Sequence, residues 1–320
     1  MMLPRKNRSF ARPIALASAL LLAGTALAAC GDDADSDPAG SGNDVGGGAS
    51  VTVATQNFPE AALVGSLYDV LLSENGFDVQ VKAVDARDAY MGEFPGSVDI
   101  VPEYLGALGD FLNTRENGEG AEPVTSNDSE ATLAEVAPLA EAAGITLLDL
   151  SEANSQNAFF VTAEQADGGL EKLSDLEGES IVLAASPDCE GRADCEGGLS
   201  GVYGIDITEI LPLGFASPET YSAVQSGEAQ LGLTGTIDPN LEAEELVLLE
   251  DDRGIQPAQN YVPAVATDFL AEHEGLADLL DALMAELDND VINDLLARVT
   301  IDREKSDDVA RDFLEEQGLI

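Results

Sequence analysis

From residue 51 to its end, the chain alternates short runs rich in β-branched and apolar residues with stretches whose apolar positions recur every three or four residues. That alternation constrains the fold more than any other feature, because strands separated by helix-length segments are joined as crossovers, with helices covering the faces of a sheet. Strands are expected at 51–55, 79–84, 99–104, 145–150, 158–162, 181–185, 231–234, 246–249 and 262–266. Helices are expected at 60–74, closed by the Asn75-Gly76 stop, and at 130–143, 218–226, 275–287, 290–299 and 306–317. The last three follow the final strand with no strand between them. No repeat of 20 to 50 residues is visible, which argues against a solenoid. Hydrophobic residues make up 45% of the chain, enough to fill a packed core.

Charge narrows the function. There are 61 Asp and Glu against 14 Lys and Arg, a formal charge of −47. So acidic a surface repels phosphate backbones and anionic headgroups, so no nucleic acid is expected as a partner. One His cannot build a multi-histidine zinc site, and no zincin, nucleophile-elbow or phosphate-loop pattern occurs, so no metal, cofactor or catalytic residue is assigned.

The first residues run against this acidity. Arg5, Lys6, Arg8 and Arg12 precede the apolar run 14–27, which is shorter than the roughly 20 residues a membrane-spanning helix needs. Leu27-Ala28-Ala29-Cys30 then resembles a bacterial lipobox, in which Cys30 is lipidated and becomes the mature N-terminus. The reading is a lipoprotein signal peptide at 1–29 and export to the outer face of the cytoplasmic membrane, with the lipid as membrane anchor. Residues 30–50, rich in Gly, Ser and Asp, read as a flexible tether. Asp33, Asp35 and Asp37 imitate a calcium loop, but Pro38 stands where the loop needs Gly.

Several segments, in order, resemble one family. Thr55-Gln56-Asn57-Phe58-Pro59-Glu60 follows the first strand, and Asp99-Ile100-Val101-Pro102-Glu103-Tyr104-Leu105-Gly106 matches a D-x-x-P-E-Y-x-G pattern. Leu199 to Gly204 matches G-L-x-x-x-Y-G, Tyr221 to Glu228 matches Y-x-A-x-x-x-G-E, and Leu248 to Asp252 matches an L-x-D-D run. Tyr261-Val262-Pro263 falls where the family has a Tyr followed closely by Pro. Together they resemble the substrate-binding proteins of osmoprotectant ABC importers, which handle glycine betaine, choline and carnitine. The resemblance spans about 51–320. It implies an α/β, two-lobed periplasmic-binding-protein-like fold with a ligand cleft between the lobes. Lobe one would be 51–155 plus 259–320, and lobe two 156–258. It further implies a small zwitterionic or cationic solute, an ABC permease with a separate ATPase, and a monomeric receptor.

A trimethylammonium group offers no N–H donor, so selective recognition relies on its diffuse charge against aromatic faces. The six tyrosines are therefore the side chains to weigh. Tyr68, Tyr203 and Tyr221 fall at positions that favour packing; Tyr104, Tyr261 and Tyr90 are the expected ligand walls. Gln56 and Asn57, just before a helix start, are expected polar contacts, with helix capping as their other reading. Thr234 is a further expected contact, in Leu233-Thr234-Gly235-Thr236-Ile237-Asp238, where the family often carries an aromatic before S-T-D. Either another side chain fills that wall or the ligand is not a simple quaternary amine. Arg192 is a possible partner for a ligand carboxylate, although Arg87 and Arg253 are equally available. Cys189 and Cys195, in an exported chain, are expected to form a local disulfide. The competing functions are a receptor for another small polar solute, an exported enzyme using paired carboxylates, and an adhesive surface protein.

Overall fold

The computed structural model describes residues 44–320. The signal-peptide and Cys30 readings, and the tether to residue 43, lie outside the described residues. Ten strands, among the described residues, form two five-stranded sheets. The first has the order β2 (Asp78–Val84), β1 (Ser50–Gln56), β3 (Ile100–Tyr104), β10 (Tyr261–Ala266) and β4 (Ile145–Leu147). The second has β7 (Asp206–Pro212), β6 (Ser180–Ala185), β8 (Leu231–Gly235), β5 (Asn157–Thr162) and β9 (Leu246–Leu249). The two share one plan. Three strands are parallel, and an antiparallel strand, β10 in one and β5 in the other, pairs the third of them with the edge.

Helices α1 (Pro59–Glu74), α2 (Arg87–Met91), α3 (Leu105–Asn117) and α4 (Ser129–Ala142) come before the chain enters the second sheet. Within that sheet's segment lie α5 (Ala163–Asp167), α6 (Glu196–Gly201), α7 (Pro218–Gln225) and α8 (Asn240–Ala243). After β10 come α9 (Thr267–Glu272), α10 (Leu276–Ala285), α11 (Asn289–Thr300) and α12 (Ser306–Gln317). Helix α1 is apolar nearly all round, with Leu63, Val64, Leu67, Tyr68, Leu71 and Leu72 all at most 1% exposed. Such a helix must be covered on two sides. Here β1 and β2 cover one side and α11 and α12 the other, so the C-terminal helices complete the core of the first sheet. Burial of each of these leucines contributes roughly 1.5–3 kcal/mol.

Residues 44–49, read from sequence as the end of the tether, are bound to the end of α1. The Gly46 and Gly48 amides donate to Asn75 and Gly76 carbonyls at 2.9 and 2.8 Å. The chain passes from one sheet to the other and back through two neighbouring segments. The Ser155 amide donates to the Gln259 carbonyl at 3.2 Å, and Asn154 forms an isolated bridge with Asn260. Strand β7 and helices α2, α3, α5, α6, α8 and α9 are absent from the sequence reading. Strand β7 is an edge strand whose exposed face carries Asp206 and Glu209, and helix α3 starts directly from β3 with no intervening turn.

Candidate functional site

The C-terminal ends of β1 and β3 and the start of β10 lie at one edge of the first sheet, where loops follow parallel strands and ligands collect in open α/β sheets. Register pairs Tyr104, the last residue of β3, with Tyr261, the first of β10. Their ring centroids are 5.2 Å apart at 44°. Phe58, just before α1, lies 6.3 Å from Tyr104 with its ring inclined by 24°. Glu60, in the first turn of α1, ties this group together. Its carboxylate accepts from the Tyr104 hydroxyl at 2.9 Å, the Tyr261 hydroxyl at 2.5 Å and the Ser155 hydroxyl at 3.2 Å. Burial, and then the Glu60 carboxylate, hold the Tyr104 phenol well above its ordinary value. Burial, Tyr104 and Glu60 do the same for Tyr261. Both phenols therefore stay protonated and donate.

A cavity of about 340 Å³ opens beside these rings. Gln56, Phe58, Tyr104 and Ala107 line it from the first sheet, and Ser155, Gln156, Pro257 and Gln259 from the crossing segments. Asn157, Arg192, Asp194 and Gln256 close the side nearest the second sheet. Two backbone features hold the crossings close. Gly106 donates to the Ala258 carbonyl at 3.0 Å, and a Cβ there would come within 2.6 Å of that oxygen, so only glycine fits. Asp251, from the L-x-D-D run, accepts from the amides of Ile255 and Gln256 at 3.0 and 2.8 Å and so sets the course of the returning segment. The buried Gln256 donates to the Asp194 carbonyl at 2.8 Å, while its side-chain oxygen has no protein partner.

The structure sorts the residues expected from sequence. Tyr104, Gln56 and Arg192 line the cavity. Tyr261 stands behind Tyr104, 1% exposed, and braces Glu60 rather than lining the space. Three more of the expected residues lie away from the cavity lining. Tyr90 is 2% exposed beneath the sheet edge, and its hydroxyl donates at 2.6 Å to Glu103, which also carries the Arg87 guanidinium; burial is the main cause that raises its phenol. Thr234 is fully buried and donates to Asp238, which also accepts from Tyr221 at 2.7 Å, so these residues fasten the interior of the second sheet. Asn57 turns away to Asp85 at the end of β2. Arg87 and Arg253 are likewise engaged, with Glu103 and Glu177. Arg192 is clamped by Asp194 and Asp188, at 2.6 and 2.8 Å, and the hydrogen bond to Asp194 is the main cause that raises its guanidinium. Cys189 and Cys195 are bonded to each other, their Cα atoms 5.3 Å apart, and close the loop that carries Arg192.

Phe58 and Glu60 have no assigned role in the sequence reading, although both stand in the quoted segment after β1. Phe58 is 39% exposed, an unusual position for a large aromatic beside a helix start, and this exposure is what marks it.

The profile of the substrate-binding domain of ABC-type glycine betaine transport systems matches residues 49–316. The chain belongs to this family. Within the family, a glycine-betaine-binding protein of Pseudomonas aeruginosa is 28% identical over 284 residues, covering 85% of this chain and 89% of that protein. The glycine betaine-binding protein YehZ of Escherichia coli is 26% identical over 290 residues, covering 84% of this chain and 90% of its own. The crystal structure of a glycine betaine/carnitine/choline ABC transporter protein superposes with a TM-score of 0.73 at 18% identity, over 84% of this chain and 99% of that one, and so shares the two-lobed fold. This is a family of solute-binding domains that serve a permease and its ATPase, so the enzyme reading gives way. Among the described residues, no helix is long and apolar enough to cross a membrane.

Proposed function

We propose that the chain is an extracytoplasmic receptor that delivers a quaternary-ammonium solute of the glycine betaine or choline type to its importer. The observation that carries this reading is the aromatic group of Phe58, Tyr104 and Tyr261 around the Glu60 carboxylate, beside an open cavity. Ring faces attract a methylated ammonium group by about 0.5–2 kcal/mol each, depending on desolvation. Glu60 adds negative charge behind the rings, while its three hydroxyl donors keep it fixed. Gln56 and the Arg192 loop then serve the polar end of the solute, with Arg192 sharing its charge between two aspartates and a ligand carboxylate. Lobe one comprises 51–155 with 259–320, and lobe two 156–258. They close about the paired segments near Ser155 and Gln259.

The receptor acts as a monomer, held to the outer face of the cytoplasmic membrane by a lipid on Cys30. Titration calorimetry with glycine betaine, choline and carnitine tests the ligand class; no heat with any of them would defeat it. Mass spectrometry of the native N-terminus should find acylated Cys30, and an unmodified start elsewhere would defeat the anchor.

A further inference from the structure

The segment after β7 of the second sheet also presents an exposed aromatic ring, Phe215. The segment that leaves β7 crosses the C-terminal ends of β6 and β8. The Gly214 amide donates to the Ala185 carbonyl at 3.0 Å, and the Ala216 amide donates to the Leu233 carbonyl at 3.2 Å. Gly214 and Ala216 both have positive φ, 114° and 47°, the second unusual for a residue with a side chain. The Ser217 hydroxyl donates back to the Leu213 carbonyl at 2.8 Å, and the Thr220 hydroxyl to the Gly214 carbonyl at 2.9 Å. These bonds fix the backbone around Phe215, yet its ring is left 49% exposed while Leu213 and Ala216 pack against a core built from α7, β5 and β6.

The ring's surroundings connect it to the cavity. Gly235 ends β8, and a Cβ built there would meet Phe215 Cζ at 3.4 Å and the Gln156 carbonyl at 3.5 Å. Gln156 lines the cavity, and the strand partner of Gly235 is Asn157, another lining residue. Phe58 and Phe215 are the two aromatic residues, among the described residues, that stand out as exposed large side chains, and each follows the C-terminal end of a parallel strand. From this we infer that Phe215 is the second lobe's aromatic wall for the bound ammonium group. It takes the space left bare at Gly235 and contributes to affinity when the lobes close on the ligand. The inference rests on the quaternary-ammonium reading proposed above and adds a selectivity-determining residue to it.

Calorimetry on the wild-type protein and on Phe215→Ala, Phe215→Leu and Phe215→Tyr, with glycine betaine and choline as probes, tests it. Tyr104→Leu serves as the reference for a wall on the first lobe. Phe215→Ala and Phe215→Leu should both weaken binding by roughly two- to thirtyfold, while Phe215→Tyr stays within about threefold of wild type, because the ring face and not apolar volume attracts the cation. An exposed ring carries little of the core, so thermal unfolding midpoints should match wild type; Phe215→Leu keeps the comparison sound should the alanine variant unfold early. Wild-type affinity in Phe215→Leu, alongside a loss in Tyr104→Leu, would overturn the role of Phe215 alone. A wild-type protein that binds neither probe would overturn the ligand class on which the inference rests.

Discussion

Replacing Tyr104 separates the ring from the hydroxyl, because the structure gives each a distinct task. The ring borders the cavity between Phe58 and Tyr261, at centroid distances of 6.3 and 5.2 Å, and the hydroxyl donates to Glu60 at 2.9 Å. Tyr104→Ala removes both at a position only 9% exposed. Truncating a buried aromatic costs about 3–5 kcal/mol of stability, which would blur any loss of affinity. Tyr104→Phe and Tyr104→Leu are cleaner. Phe keeps the ring face and deletes one of three donors to the carboxylate; a hydrogen bond to a charged group is worth about 1.5–3 kcal/mol, and the lower end applies because Tyr261 and Ser155 still hold Glu60. Leu fills much of the space without a π face. In calorimetric titrations with glycine betaine, Phe should bind within about threefold of wild type, whereas Leu should lose roughly two- to thirtyfold, the equivalent of about 0.5–2 kcal/mol for one ring. Circular dichroism melts on the same samples separate affinity from folding. Wild-type binding by the Leu variant would refute the ring as a ligand wall. An equal loss in Phe and Leu would show that the hydroxyl is what recognises the solute.

Gly106→Ala puts a Cβ 2.6 Å from the Ala258 carbonyl, so the crossing segment must shift; stability should fall by about 1–3 kcal/mol and affinity with it, and a variant indistinguishable from wild type would show that the segment is not held there. All six tyrosine phenols are held above their ordinary value, burial being the main cause for each. Folded-state values raised above unfolded ones mean stability that is complete below about pH 10 and lost as pH rises further. Phenolate absorbance at 295 nm should therefore appear with unfolding in one cooperative step, and a gradual rise centred on pH 10 in folded protein would contradict this. Reducing Cys189–Cys195, which closes a loop with a sequence separation of 6, should cost about 2 kcal/mol by the loop-closure estimate, read from denaturant midpoints with and without reductant. An unchanged midpoint would show that the bridge does not constrain the unfolded chain.

Most strands were legible because their apolar runs are continuous: β3, β8 and β10 are buried at every position. Strand β7 was not, since Asp206, Glu209 and Pro212 are exposed on an edge strand whose pairing with β6 carries a register irregularity. Helix α3 was hidden by Gly106 and Gly109, residues that weaken a helix locally and are explained only by tertiary neighbours. One gives way to the Ala258 carbonyl, and the other to α4, where a Cβ would come within 2.4 Å of Val136. At the site, strand ends drew attention to Tyr104 and Tyr261. Periodicity carries no information on depth, so Tyr90 and Thr234 read as cleft residues although both are buried. Glu60 looked like an ordinary first-turn acid complementing the helix dipole. Its role depends on two hydroxyls arriving from residues 44 and 201 positions away, which local patterning does not reveal.

Aromatic faces at the edge of the first sheet are proposed to hold a methylated ammonium group. A crystal structure of the protein with glycine betaine tests it most directly. The ammonium nitrogen should lie within about 6 Å of the ring centroids of Tyr104 and Phe58, with the Glu60 bonds to Tyr104 and Tyr261 retained. A solute lodged elsewhere, or one that turns its carboxylate to the rings and its ammonium to solvent, would contradict it.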